Sequence, residues 1–138
     1  IFILRGMHGS SYVPPAATGT VFADIPVDAF AADWIEQLAA EGVTAGCGGG
    51  NYCPDATITR AQMSIFLLRG KYGNAYIPPA ASGLIFGDVP VDAFAADWIE
   101  QLAAEGVTSG CGGGNYCPDA NVTRAEMAVF LVRAFNLP

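Results

Sequence analysis

The chain has 138 residues, 52% of them apolar and 14% charged, enough apolar material for a compact core and too much for a disordered tail. Its net charge of −7 comes from scattered carboxylates, with neither an acidic block nor the basic footprint of a nucleic-acid-binding protein, so no nucleic-acid partner is expected. No apolar run approaches the roughly 20 residues needed to cross a bilayer, and no charged segment precedes the first apolar stretch as it would in a secretory leader.

In chain order the first element is IFILRG, which matches IFLLRG from Ile65 and VFLVRA from Val129. Residues 28–56 and 92–120 are identical except at Ala45 and Ser109, at an offset of 64, so the fold unit is about half the chain. Phased on that offset, residues 1–9 are the C-terminal half-helix of a preceding repeat and 10–21 a Pro/Gly linker. Residues 22–73 form one complete repeat, 74–85 a second linker and 86–138 a second complete repeat. The sequence is expected to be part of a longer chain that continues upstream.

The linkers GMHGSSYVPPAATG and GKYGNAYIPPAASG read as spacers with aromatic anchors at Tyr12 and Tyr76. Each repeat then opens with a segment, FADIP or FGDVP, that Pro26 and Pro90 keep extended or turning. Phe22 and Phe86 are expected in the core, and Asp24 and Asp88 are expected to fix the turn before the helix. Asp28 is placed to cap a helix whose apolar face holds Phe30, Ala31, Trp34, Ile35, Leu38 and Ala39, with Asp33, Glu36 and Glu41 facing elsewhere and Gly42 placed to stop it.

After Val43-Thr44 comes a glycine-rich loop, Cys47-Gly-Gly-Gly-Asn-Tyr-Cys53, with its copy at Cys111 to Cys117. A local disulfide in each repeat is the natural pairing, stabilising by roughly 2.4 kcal/mol in the chain-entropy model and pointing to an oxidising, extracytoplasmic setting. A four-cysteine metal site built from two repeats is the alternative, against which stands a spacing wider than the two to four residues usual in zinc sites. Thr59-Arg60-Ala61-Gln62 and Thr123-Arg124-Ala125-Glu126 then spell a capping box, in which Thr and Gln or Glu answer the free N–H groups of a helix start. The helix that follows is apolar around most of its circumference, so it should be covered on two sides, by its own first helix and by another repeat.

These motifs together resemble the S-layer homology domain: Phe-x-Asp-(Val/Ile)-Pro, an amphipathic helix ending Glu-Gly-Val, a loop ending Asn-Tyr-Cys-Pro-Asp, and (Ile/Val)-Thr-Arg-Ala-(Gln/Glu). The resemblance covers both complete units and reaches into the N-terminal half-helix. It implies an all-α fold of tandem helix–loop–helix repeats, commonly a pseudo-threefold bundle with long loops. It also implies a module that holds a secreted protein non-covalently to an acidic, often pyruvylated, cell-wall polysaccharide at the bacterial cell surface. The residues expected to contact that ligand are Arg60 and Arg124 with their caps Thr59 and Thr123, Phe30 and Phe94 with Trp34 and Trp98, and Gly46 and Gly110. Three departures bear on the glycan rather than the fold: Phe30 and Phe94 stand where the family has Trp, Gln62 ends one motif, and the cysteine pairs vary the loop.

Physically, Arg60 and Arg124 place a cation at the positive end of a helix dipole, which is unfavourable by roughly 0.3–1 kcal/mol. An anionic ligand would supply the reason, and so would an ion pair to Asp55, Asp119 or an acid on a neighbouring repeat. The aromatics at helical spacing could stack on a sugar or belong to the core. Catalysis has little to stand on, because His8 is the only histidine and Tyr72 occupies its position in the copy. No cofactor is expected; calcium at Asn51, Asp55 and a loop carbonyl is the alternative, without the dense acidic run of a dedicated loop. A structural protein that assembles with copies of itself, or with the rest of its parent chain, into a layer, sheath or filament is the competing function.

Overall fold

A computed structural model describes residues 1–138. It is all-α, with α1 (Phe2–His8), α2 (Ala32–Ala40), α3 (Arg60–Tyr72), α4 (Ala96–Ala104) and α5 (Arg124–Phe135), and no β-strand. The chain forms two compact units, Ile1–Ala56 and Thr57–Pro138. Their boundary falls inside the first complete sequence repeat, so α3 folds with the residues that follow it.

In the first unit Phe22, Ile25, Ala32 and Ile35 form a core against Tyr52, with the Phe22 and Tyr52 ring centres 5.4 Å apart. The sequence places the cap of α2 at Asp28, but residues 26–31 instead turn twice. Ala29 N–H donates to the Pro26 carbonyl and Ala32 N–H to that of Ala29, Ala31 takes a left-handed φ of 60°, and no side chain caps the helix. Phe30, expected on the apolar face, is therefore left 88% exposed. At the other end the sequence reading holds: Gly42, with φ 70°, donates to Ala39 and Val43 donates to Leu38, a Schellman stop with Val43 fully buried.

The linker is more than a spacer. Asp33 accepts the Ala17 N–H at 2.7 Å, and Glu36 accepts those of Thr18 and Gly19 at 2.8 and 2.7 Å, so the polar face of α2 holds the linker. Tyr12 lies between His8 and Trp34, as an anchor should. Asp24, expected to fix its own turn, reaches across the unit instead and accepts the N–H groups of Tyr52 and Cys53, each at 2.7 Å. A repeated carboxylate in an acidic chain is thus spent on main-chain donors rather than offered to a cation.

The second unit repeats this arrangement with Asp97, Glu100 and Asp88 in the same roles. Its core holds Phe86, Val89, Ala96, Ile99 and Tyr116, with Ala61 contributed by α3. Helix α3 packs against both α4 and α5, which accounts for its nearly circumferential apolar surface; both helices belong to the following repeat, where the sequence reading expects the first helix of its own repeat as one of the two covers. Both capping boxes form: Thr59 accepts from Gln62 N–H, Thr123 from Glu126 N–H, and each N3 side chain returns the bond. The cysteines pair within each loop, Cys47 with Cys53 and Cys111 with Cys117, and none is free.

Candidate functional site

The first turn of α3 sits on the loop of the following repeat. Its N–H groups would otherwise lack partners; here Arg60 N–H donates to the Ala120 carbonyl at 2.9 Å and Ala61 N–H to that of Pro118 at 3.0 Å. The Arg60 side chain follows the backbone inward and is 3% exposed. Its Nε donates to the Tyr116 carbonyl at 2.8 Å and its Nη1 to Glu126 at 2.7 Å, while the Tyr116 and Phe130 rings lie 4.8 and 5.4 Å from the guanidinium carbon. The cation at a helix N-terminus is thus compensated by a carbonyl, a carboxylate and two aromatic faces. Of the ion-pair partners considered from sequence, the acid on a neighbouring repeat is the one the structure places there.

Glu126 does double work. Its carboxylate accepts the Thr123 N–H, closing the capping box of α5, and it pairs with Arg60. Those contacts, the Thr123 amide first, hold its carboxyl below the usual range.

Beside this pair lies a cavity of about 270 Å³ lined by Arg60, Val107–Gly110, Ala125, Glu126, Val129, Phe130 and Arg133. The backbone of its α4 side is fixed by Gly110. A Cβ there would run into the Asn115 carbonyl and stand 2.9 Å from the Phe86 ring, and φ is +94°. Gly46 makes the same close approach to Asn51 and Phe22 in the first unit. Of the residues expected from sequence to contact a ligand, Arg60 and Gly110 therefore line one cavity.

The others lie elsewhere. Thr59 and Thr123 are occupied as caps. Arg124 is exposed, and Phe94 is 66% exposed and not among the cavity residues. Trp34 and Trp98 are half-buried beneath arginines, with the guanidinium carbons of Arg5 and Arg69 at 5.1 and 5.5 Å from the ring centres. No group of three or more His, Cys, Asp or Glu side chains is placed to hold a metal ion.

Ser109 and Arg133 are cavity residues that the sequence reading missed. Both had a signal in the repeat. Ser109 is one of the two residues that break the identity of 28–56 with 92–120, and Arg133 recurs at the same offset as Arg69 and Arg5.

The S-layer homology domain model matches residues 22–64 and 82–128. Similar proteins include the surface-layer 125 kDa protein of Lysinibacillus sphaericus, 30% identical over 128 residues that make up 93% of this chain and 10% of that one. An endoglucanase of a Bacillus species is 27% identical over 135 residues, 92% of this chain and 14% of the enzyme. An amylopullulanase of Thermoanaerobacterium thermosulfurigenes is 32% identical over 110 residues, 80% of this chain and 6% of the enzyme. The chain thus spans only a small part of each relative's length, and stretches similar to it occur in proteins with unrelated names.

Proposed function

The chain belongs to the S-layer homology domain family, and on that premise we propose that it anchors a larger secreted protein to the cell envelope by binding an acidic cell-wall polysaccharide. It is a non-catalytic, cell-surface module. The observation that carries the reading is that Arg60, from the Thr-Arg-Ala motif, and Gly110, from the glycine loop, line one cavity. Its mixed apolar and polar lining suits a sugar, whose ring offers an apolar face and a polar edge. Arg124 with Thr123 presents the same motif a second time. A pyruvyl group on the glycan would supply the carboxylate.

The test is retention of the purified chain on wall polysaccharide, before and after chemical removal of its acidic substituents. Retention on the acidic form that is lost from the stripped form supports the reading; equal retention on both, or none on either, overturns it. A structural role through self-assembly is the second reading, favoured by the exposed rings of Phe30 and Phe94 at matching positions. Concentration-dependent sedimentation in the absence of any glycan would favour it.

A further inference from the structure

We propose that the cavity recognises the carboxylate of its ligand through Arg133 and a sugar hydroxyl through Ser109, while Arg60 is a positioning residue. This deepens the polysaccharide-binding reading and rests on it. The charges that line the cavity do not balance. Three ionisable side chains line the cavity, Arg60, Glu126 and Arg133. Arg60 and Glu126 are paired at 2.7 Å and cancel, which leaves the charge of Arg133 uncompensated.

The two arginines also differ in the hydrogen-bond donors they have free. The guanidinium of Arg60 is engaged at Nε and Nη1, covered by two rings and buried. Arg133 is exposed, and its one protein hydrogen bond is a long one, from Nη1 to the Val107 carbonyl at 3.4 Å. A guanidinium carries five N–H donors in a planar fork, so most of those on Arg133 are available for the two-pronged grip on a carboxylate. Its place in the last turn of α5 also sets it at the end of the helix that favours a cation.

Ser109 serves the neutral part of the ligand. Its hydroxyl makes no hydrogen bond within the protein, whereas the adjacent Thr108 hydroxyl is taken by Gly110 N–H at 3.1 Å. In a stretch otherwise identical to its copy, the position that gains a hydroxyl is one that lines the cavity. Val107, Ala125, Val129 and Phe130 supply the apolar part of the same lining. At about 270 Å³ the space is slightly smaller than the roughly 300–1,000 Å³ of sites for drug-sized ligands, room for one sugar residue of a longer chain.

The experiment measures the dissociation constant of the whole chain for acidic wall polysaccharide and for the same material stripped of its acidic groups. Arg133→Glu, Arg133→Lys and Ser109→Ala are compared with the unsubstituted protein. Ser109→Ala installs the residue already present in the copy as Ala45, so it preserves the fold, and thermal melts check the other two. Arg133→Glu is expected to weaken binding to the acidic form at least tenfold and to abolish the preference for it. Arg133→Lys should keep part of that preference, and Ser109→Ala should weaken binding to both forms by a few-fold. If the unsubstituted protein prefers the acidic form and folded Arg133→Glu keeps the full preference, the assignment of Arg133 is overturned while anchoring stands. If the unsubstituted protein binds neither form, the underlying reading fails first.

Discussion

Arg60 and Tyr116 clasp each other in both directions: Arg60 Nε donates to the Tyr116 carbonyl at 2.8 Å, and the Tyr116 hydroxyl donates to the Arg60 carbonyl at 2.9 Å. The guanidinium also lies 4.8 Å from the centre of the same ring. The pair joins the start of α3 to the loop of the next repeat, and it makes the motif arginine a structural element before any ligand arrives. Arg60→Ala should therefore destabilise the second unit by about 2–4 kcal/mol, since it strands a buried carbonyl and empties the space between two rings. Urea unfolding followed by tryptophan fluorescence reports this. A variant as stable as the parent would show that the clasp contributes nothing.

Alkaline titration examines the other member of the pair. Burial pushes the Tyr116 phenol up to about 12, whereas an unfolded tyrosine ionises near 10. The proton is held more tightly in the folded state, so stability is whole below about pH 10 and is lost between there and about 12. Absorbance at the phenolate band should show Tyr116 ionising late or together with unfolding. Ionisation of all five tyrosines near 10 with the fold intact would contradict its burial.

At the acid end the carboxylates that hold main-chain amides decide the outcome. The Tyr52 amide holds Asp24 below its ordinary value of 3.8, and the Thr18 and Thr123 amides do the same to Glu36 and Glu126, whose ordinary value is 4.5. Each is more acidic folded than unfolded, so its contribution is present above about 4.5 and is lost as pH falls through the lowered value. Melting temperature should be flat from pH 7 to about 5 and fall below that. Asp24→Asn should shrink the fall, and an unchanged acid limb would remove the clamp from the account.

The glycine loop gives a contrast between two neighbouring positions. Gly110→Ala meets the Phe86 ring at 2.9 Å and the Asn115 carbonyl, and should cost roughly 2–4 kcal/mol from overpacking and left-handed strain. Gly112→Ala meets nothing within 4 Å and carries only the strain of its positive φ, about 1 kcal/mol. Reduction of the disulfides should lower the melting temperature of both units, by the equivalent of roughly 2.4 kcal/mol per loop. Equal costs for the two glycine variants would mean that the loop does not approach Phe86 as described.

Local chemistry was readable in the chain, and long-range contacts were not. Thr59 and Thr123 announce the starts of α3 and α5 because a capping box is complete within four residues, and Gly42 announces the end of α2 for the same reason. Phe22 and Phe86 are in the core as expected. The start of α2 differs from the pattern because the turns at Pro26–Ala31 displace the cap from Asp28, leaving Phe30 in solvent. Asp24 to Tyr52 and Glu36 to Thr18 are bonds between residues far apart in sequence, for which no local pattern exists. At the cavity, Arg60 is conspicuous in the sequence because it breaks a helix-dipole rule, whereas Arg133 obeys that rule and carries no such mark.

The central claim is that this module recognises an acidic wall glycan. It is tested most directly by titrating the whole chain with purified wall polysaccharide in a calorimeter, before and after its acidic substituents are removed. The account predicts saturable binding to the acidic polysaccharide that weakens at least tenfold on the stripped one. Binding of equal strength to both, or no heat with either, would contradict it.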